Sequence, residues 1–157
     1  MSDVSEGAAL TRATPLPALA DMSACEIARR IAAGELTATQ AVEHFLSRIA
    51  AVNGRLNAVA VDLSESARTA AAATDKALAR GDKPGPLAGL PVTIKECFDL
   101  AGTPSTFGLP SRRGAIEAEN DPHVAALVAA GAIPIAKSNV PQLLIFTESD
   151  NPLYGRT

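Results

Sequence analysis

Residues 90–95 have the sequence LPVTIK and residues 121–136 have the sequence DPHVAALVAAGAIPIA, and these two stretches decide the fold class. The first predicts a buried strand that ends in a charged residue, Lys95. The second opens with an Asp-Pro pair typical of a helix start, reaches Gly131 where the helix is expected to end, and closes with an apolar strand over 132–136. Strand, crossover helix and strand indicate an α/β fold with an at least partly parallel sheet.

The chain before this unit predicts mainly helices. Residues 23–34 and 37–53 each open with the S/T-x-x-E/Q spacing of a capping box and carry an apolar stripe at helical spacing. Residues 57–61 predict a short strand, and residues 64–80 predict an Ala-rich helix suited to close packing on a sheet. We therefore expect two N-terminal helices followed by alternating strands and helices.

Two regions close to the predicted strand ends are candidates for function. Residues 96–120 contain prolines and glycines and show no helical or strand-like hydrophobic periodicity, so they predict a long connection. Connections of this length in compact domains usually carry function. Pro141 predicts a further helix to about Thr147, in which residues 143–146 would be apolar on every side. Such a helix is either buried in the core or forms a wall of an apolar pocket.

Charge and cysteine content limit the partners. The 157 residues carry 14 Lys and Arg against 17 Asp and Glu, so the net charge of −3 lacks the basic excess of a nucleic-acid binder. The two cysteines, Cys25 and Cys97, lack CxxC spacing and build neither a disulfide framework nor a structural zinc site. We expect no nucleic-acid partner, no metal and a reducing compartment.

The N-terminus and the hydropathy pattern bear on location. Residues 1–21 show no period and predict a tail without the charged region and apolar core of a signal peptide. The longest apolar run, 125–136, falls well short of the roughly 20 residues needed to cross a bilayer. The sequence therefore predicts a cytoplasmic protein without a membrane span.

Lys95 is the main candidate for chemistry, because a lysine at the end of an apolar strand is unusual. Its long aliphatic side chain can carry the ammonium out to water, or the ammonium can pair with Glu96 or Asp99. Spacing alone favours one of these structural roles over a catalytic role. The alternative is a general base, which requires the usual lysine pKa of about 10.4 to fall by roughly three units through desolvation. A base of this kind also requires a hydroxyl partner nearby.

Two other catalytic arrangements have little support. Lys95, Glu96 and Cys97 are the residue types of a Glu-Lys-Cys amide-hydrolysing site, but adjacent residues in an extended chain point in alternating directions. Cys97 with His44 or His123 would make a thiol nucleophile pair, although a lone cysteine and an unlinked histidine occur in most chains. Neither arrangement is expected.

Several segments together resemble one family. The sequence GPLAGLPVTIKE at 85–96 closely resembles the G-P-L-x-G-[IV]-P-x-x-x-K-[DE] segment of the amidase signature family. Residues 121–132, 136–142 and 150–157 resemble further segments of that family in the same order. The resemblance covers roughly residues 22–157, and several independent motifs in sequence make it specific.

This resemblance implies a fold and an activity. Family members have a mixed central sheet flanked by helices and act on small-molecule amides, by hydrolysis or nitrogen transfer, without a metal or organic cofactor. They use a Ser, cis-Ser, Lys triad, in which Lys95 would be the lysine that takes a proton from the bridging serine. Leu144, Ile145 and Phe146 match the segment that lines the acyl side of the substrate pocket.

One family segment has no counterpart here. The Gly-Ser-rich segment with the bridging serine, the nucleophile and the oxyanion hole is expected after Thr157, so 22–157 predict an incomplete amidase domain that is inactive alone. Four serines, all placed in predicted loops, cannot replace that segment: Ser105, Ser111, Ser138 and Ser149. The alternative is a truncated non-catalytic remnant or interaction module. The sequence also leaves open whether the N-terminal helices pack within the chain or against another copy in a homo-oligomer.

Overall fold

The computed structural model describes residues 19–157, which form a three-stranded mixed sheet with helices packed against it. In chain order the elements are α1 (Ala24–Ala32), α2 (Ala38–Leu56), β1 (Val59–Asp62), α3 (Ser64–Ala79), β2 (Pro91–Lys95), α4 (Pro122–Ala129) and β3 (Ile133–Ser138). Most of the predicted tail lies outside the described residues, and Leu19–Asp21 form one turn of 3₁₀ helix. No helix within 19–157 is both long enough and apolar enough to span a bilayer.

The sheet confirms the expected α/β class. Its strand order is β1-β3-β2, with β2 parallel to β3 and β1 antiparallel to β3. The β2–β3 pairing is the predicted βαβ unit with α4 as its crossover, and its register places Lys95 opposite Ser138. The carboxyl ends of β2 and β3 therefore lie side by side, the usual position of a ligand site in such sheets.

Capping interactions explain why α2 begins at Ala38. The Thr37 hydroxyl accepts from the Gln40 amide at 3.0 Å, and the Gln40 side chain accepts from the Thr37 amide, so the predicted capping box is present. Asp75 of α3 adds a cap from outside the helix, because its carboxylate accepts from the amides of Ala38 at 2.7 Å and Thr39 at 3.0 Å. The first amides of α2 are thus satisfied, and α2 is tied to α3.

The core lies where α1, α2 and α3 meet the sheet. Alanines on α2 and α3 are almost completely buried, which lets the two helices approach closely, as the alanine content predicted. The larger buried side chains come from α1, α2 and β3 and include Ile27, Ile31, Val42, Leu46, Ile133 and Ile135.

Two strand boundaries differ from the prediction. Strand β1 begins at Val59 rather than 57, because Asn57 adopts a left-handed conformation (φ 50°) and ends α2. Strand β3 continues through Lys137 and Ser138, two residues beyond the predicted end at 136. Lys137 is fully buried there, since polar groups of a neighbouring loop satisfy its ammonium.

The predicted helix from Pro141 to Thr147 is wrong. Only one turn of 3₁₀ helix forms, Gln142–Leu144, because Leu143 and Leu144 have φ angles of 53° and 62°, which a right-handed helix cannot accommodate. The apolar residues of this segment are exposed rather than buried in the core: Leu143 by 50%, Leu144 by 39%, Ile145 by 68% and Phe146 by 63%.

We expect Asp75→Ala to lower the free energy of unfolding by about 1–3 kcal/mol, because two helix amides lose a charged acceptor. Urea unfolding followed by circular dichroism measures this change. Asp82→Ala is the matched control, since Asp82 is exposed and pairs only with Arg80, and its effect should stay within about 0.5 kcal/mol. Equal effects of the two substitutions would contradict the capping role.

Candidate functional site

Lys95 is the last residue of β2 and is exposed. Within residues 19–157 its ammonium makes neither a hydrogen bond nor an ion pair, so the predicted pairing with Glu96 or Asp99 does not occur. The register partner Ser138 lies on the same face of the sheet, since directly paired residues of parallel strands share a face. Lys95 therefore presents an unused ammonium at the carboxyl end of the parallel pair.

Glu96 follows directly and points to the opposite face, where it is fully buried. One carboxylate oxygen accepts from the Thr106 amide and hydroxyl, both at 2.6 Å, and from the Tyr154 hydroxyl at 3.0 Å. The other oxygen accepts from the Phe107 amide at 3.1 Å. Within the described residues no cation lies within ion-pair distance, so the hydrogen bonds to this buried carboxylate all come from neutral donors.

Cys97 does not support the thiol alternatives. Burial raises the pKa of the Cys97 thiol, which disfavours the thiolate that a nucleophile requires. Because Lys95 is exposed while Glu96 is buried on the other face, these neighbours do not converge on one point. The expectation that the Lys-Glu-Cys run is not a catalytic constellation agrees with this geometry.

Lys137, beside Glu96 on the buried face, was not singled out from the sequence. Its ammonium donates to the Ser105 hydroxyl at 3.0 Å, the Thr103 hydroxyl at 3.3 Å and the Pro104 carbonyl. Burial lowers the pKa of Lys137 below its usual range, although the negative charge of Glu96 opposes this effect. Lys137 and Ser105 resemble a Ser-Lys dyad in composition, but both are fully buried, so no substrate reaches them.

The sequence predicted that all four serines lie in loops, and the structure differs from this prediction at Ser111 and Ser138. Ser138 is the last residue of β3, because the strand continues two residues beyond its predicted end at 136. Ser105 is buried, Ser111 lies in a 3₁₀ turn, and Ser149 lies in the loop before the C-terminal segment.

Residues 150–157 fold back over the end of β3 through a pair of asparagines. The Asn151 amide donates to the Asn139 side-chain oxygen at 2.9 Å and to the Val140 carbonyl at 2.8 Å. The Asn139 amide in turn donates to the Gly155 carbonyl at 3.0 Å. Gly108 packs directly on Asn151, where an added Cβ would lie 2.5 Å from the asparagine Cβ.

A cleft of about 460 Å³ lies between this C-terminal segment and the apolar segment, defined as residues 143–146. Phe146 lines the cleft together with Gln142, Glu148 and Arg156. Of the three residues predicted to line an acyl pocket, Phe146 borders this cleft, whereas Leu144 and Ile145 are exposed outside its lining. Within residues 19–157, no cluster of three metal-ligating side chains forms.

Sequence reasoning missed Lys137 and Tyr154, and it did not foresee that Glu96 is buried. Glu96 and Lys137 did offer a sequence signal, since each is a charged residue at the end of an otherwise apolar strand. Burial of such charges depends on donors and acceptors elsewhere in the chain, and a single strand pattern does not reveal them.

Comparison with known proteins identifies related sequences. The family model described as Amidase matches residues 40–157. An indoleacetamide hydrolase of Bradyrhizobium diazoefficiens is 44% identical over 86% of this chain, and fatty-acid amide hydrolase 2-A of Danio rerio is 38% identical over 87%. The chain spans only about a quarter of these relatives, 26% and 27% of their lengths.

Solved structures give the same result. A structure of a fatty acid amide hydrolase superimposes with a TM-score of 0.84 at 26% identity, covering 88% of this chain and 25% of that chain. A bacterial aryl acylamidase of the amidase signature family superimposes with a TM-score of 0.81 at 25% identity, covering 85% of this chain and 28% of that chain.

Covalent labelling of amines distinguishes the two strand-end lysines. In the 157-residue chain by itself, we expect an amine-reactive reagent to modify exposed Lys95 at a rate similar to that of exposed Lys83. It should leave Lys137 unmodified, because the Lys137 ammonium is buried and fully bonded. Mass spectrometry of the digested protein resolves the sites, and denaturation before labelling is the control that should expose Lys137. Rapid labelling of Lys137 in the native protein would contradict this environment.

Proposed function

Since this chain belongs to the amidase signature family, we propose that it supplies the lysine of an enzyme that hydrolyses a carbon–nitrogen bond of a small-molecule amide. The observation that carries the proposal is Lys95, which stands at the strand end that matches the family motif, exposed and without a partner in residues 19–157. A lysine side chain free of structural contacts is available, once neutral, to accept a proton from a neighbouring hydroxyl group.

The proposed chemistry is proton transfer through two serines. Neutral Lys95 accepts the proton of the bridging serine, which accepts the proton of the nucleophilic serine as that oxygen attacks the amide carbonyl carbon. The tetrahedral intermediate collapses, the carbon–nitrogen bond breaks, and the proton passes back along the same path to the leaving nitrogen. Water then hydrolyses the acyl-serine ester, releasing the acid.

The serines of this triad are proposed to come from polypeptide outside these 157 residues. The open face at Lys95 and Ser138 leaves room for such a segment. Covering that face would also remove water from the Lys95 ammonium, which favours its neutral form. The same segment would supply the amides of the oxyanion hole.

The apolar segment supports an apolar acyl group in the substrate. Leu144, Ile145 and Phe146 are proposed to contact the acyl side, with Phe146 nearest the cleft. Related proteins carry the names indoleacetamide hydrolase, fatty-acid amide hydrolase and glutamyl-tRNA(Gln) amidotransferase, so hydrolysis and nitrogen transfer are both represented among relatives. The apolar segment favours an amide with a hydrophobic acyl group as the substrate.

The alternative is a non-catalytic remnant that retains the lysine without a nucleophile. The intact mass of the protein isolated from its source separates the two hypotheses. A mass well above 16.1 kDa with amide turnover supports the enzyme, whereas a mass of 16.1 kDa without turnover supports the remnant.

We expect Lys95→Ala to reduce amide turnover of the active protein by at least about 10⁴-fold, the scale of losing a triad member. Release of the amine or ammonia measures turnover, and circular dichroism checks that the fold remains. Lys83→Ala, which removes an exposed lysine outside the strand end, is the matched control and should retain activity. Wild-type turnover by Lys95→Ala would exclude Lys95 from the triad.

Phe146→Ala should raise KM for amides with long acyl chains by about tenfold, because a ring that shields the chain from water is lost. The KM for acetyl amides should change much less. Ile116→Ala, which truncates an exposed apolar residue outside the cleft lining, is the control. An equal change for long and short acyl groups would place Phe146 outside the acyl site.

A further inference from the structure

Glu96 connects three parts of the molecule that are distant in sequence. Its backbone amide donates to the Ser138 carbonyl at 3.0 Å, which extends the β2–β3 ladder one residue beyond Lys95. Its carboxylate binds the loop at Thr106 and Phe107 and the hydroxyl of Tyr154 in the C-terminal segment. The backbone that presents Lys95 is therefore attached to both segments through the neighbouring residue.

The loop bound by Glu96 holds the start of the apolar segment. Phe107 has a left-handed backbone (φ 55°), and its carbonyl accepts from the Leu143 amide at 2.9 Å. Leu143 is itself left-handed, with φ 53°. A non-glycine residue in this region costs about 1 kcal/mol or more and persists where surrounding bonds impose it. The Phe107–Leu143 bond thus transmits the position of Glu96 to the first residue of the apolar segment.

Tyr154 reaches the start of the apolar segment indirectly, through Asn151. Its hydroxyl donates to Glu96 at 3.0 Å, and its backbone amide donates to the Asn151 side chain at 2.8 Å. The Asn151 amide donates in turn to the carbonyl of Val140, three residues before the apolar segment begins, at 2.8 Å. Phe107 and Tyr154 both attach to the Glu96 carboxylate. Two separate paths therefore fix the apolar segment to the residue next to Lys95.

We propose that Glu96 is a positioning residue that holds the apolar segment, residues 143–146, at a fixed place relative to Lys95. Glu96 itself does not touch the substrate, because its carboxylate is fully buried on the face opposite Lys95. It determines where the acyl chain of an amide lies when the carbonyl is at the lysine. The effect of Glu96 on the substrate rests on the proposed function. The hydrogen-bonded connection between Glu96 and the apolar segment does not, because it lies within the described residues.

Hydrogen exchange tests the link without any turnover. In Glu96→Gln the new amide group cannot accept from both Thr106 and Phe107 as the carboxylate does, so we expect the Phe107 and Leu143 amides to exchange about tenfold faster, the factor for losing one charge-assisted hydrogen bond. Glu119→Gln removes the same charge from an exposed position and should leave these amides unchanged.

Tyr154→Phe is the second variant, because it removes only the hydroxyl and keeps the ring. We expect faster exchange across residues 141–153, again by about tenfold, without a change in α2 or α3. This variant keeps the proposal testable if Glu96→Gln fails to fold. Unchanged exchange in the apolar segment of Tyr154→Phe, or of a folded Glu96→Gln, would overturn the proposed link.

Tyr154 also provides a spectroscopic signal, because it is the only tyrosine of the chain and there is no tryptophan. Burial raises the pKa of Tyr154; the hydrogen bond with Thr106 opposes this, and the charge of Glu96 adds to it. Tyrosinate absorbance should therefore appear at a higher pH in the wild type than for an unperturbed tyrosine, and at a lower pH in Glu96→Gln than in the wild type. An identical titration in a folded Glu96→Gln would show that the two groups are not in contact.

Kinetics separate positioning from general loss of structure. In the active protein, Tyr154→Phe should raise KM for long acyl amides several-fold while kcat for acetyl amides stays near the wild-type value, whereas Lys95→Ala should lose kcat for every substrate. A uniform loss of kcat in Tyr154→Phe would contradict positioning. If the wild type turns over no amide, the proposed function fails, and the exchange results still decide whether Glu96 holds the apolar segment.

Discussion

The strand ends are organised by the need to bury two opposite charges on one face of a small sheet. An isolated buried carboxylate or ammonium is very costly, and Glu96 and Lys137 are both fully buried without a direct ion pair within the described residues. Each is instead satisfied by groups of the loop 103–107. The loop must adopt this conformation for the charges to be buried, and the charges fix the loop once it forms.

This constraint explains which parts of the fold could be predicted from sequence. The helices begin where local capping residues specify them, such as Thr37 with Gln40 and Asp121 with its proline, and these signals lie within a few residues of one another. The end of β3 could not be placed, because Lys137 looks like a solvent-exposed residue until Thr103 and Ser105 provide its acceptors. Those residues lie more than thirty positions away.

The apolar segment also could not be predicted from local sequence, but here apolar residues that were expected to be buried are exposed. Four consecutive apolar residues favour a buried helix by composition, but the Leu143 amide donates to Phe107 rather than to a helical carbonyl. That long-range bond and the left-handed leucines replace the helix with a turn and leave the side chains exposed. The position of Lys95 at a strand end was predictable because its motif is continuous in sequence, whereas the contact of Glu96 with Tyr154 joins residues 58 positions apart.

The two strand-end lysines differ in what their ammonium groups can still do. Lys137 has three N–H donors and three oxygen acceptors around it, so loss of a proton would leave one buried acceptor unsatisfied. Lys95 has none of its donors engaged within the described residues, so proton exchange there breaks no structural bond. Lys137 on β3 therefore holds the loop, whereas Lys95 on β2 has its ammonium free of structural bonds. Glu96 connects the two lysines, because it is buried near Lys137 and follows Lys95 directly in the chain.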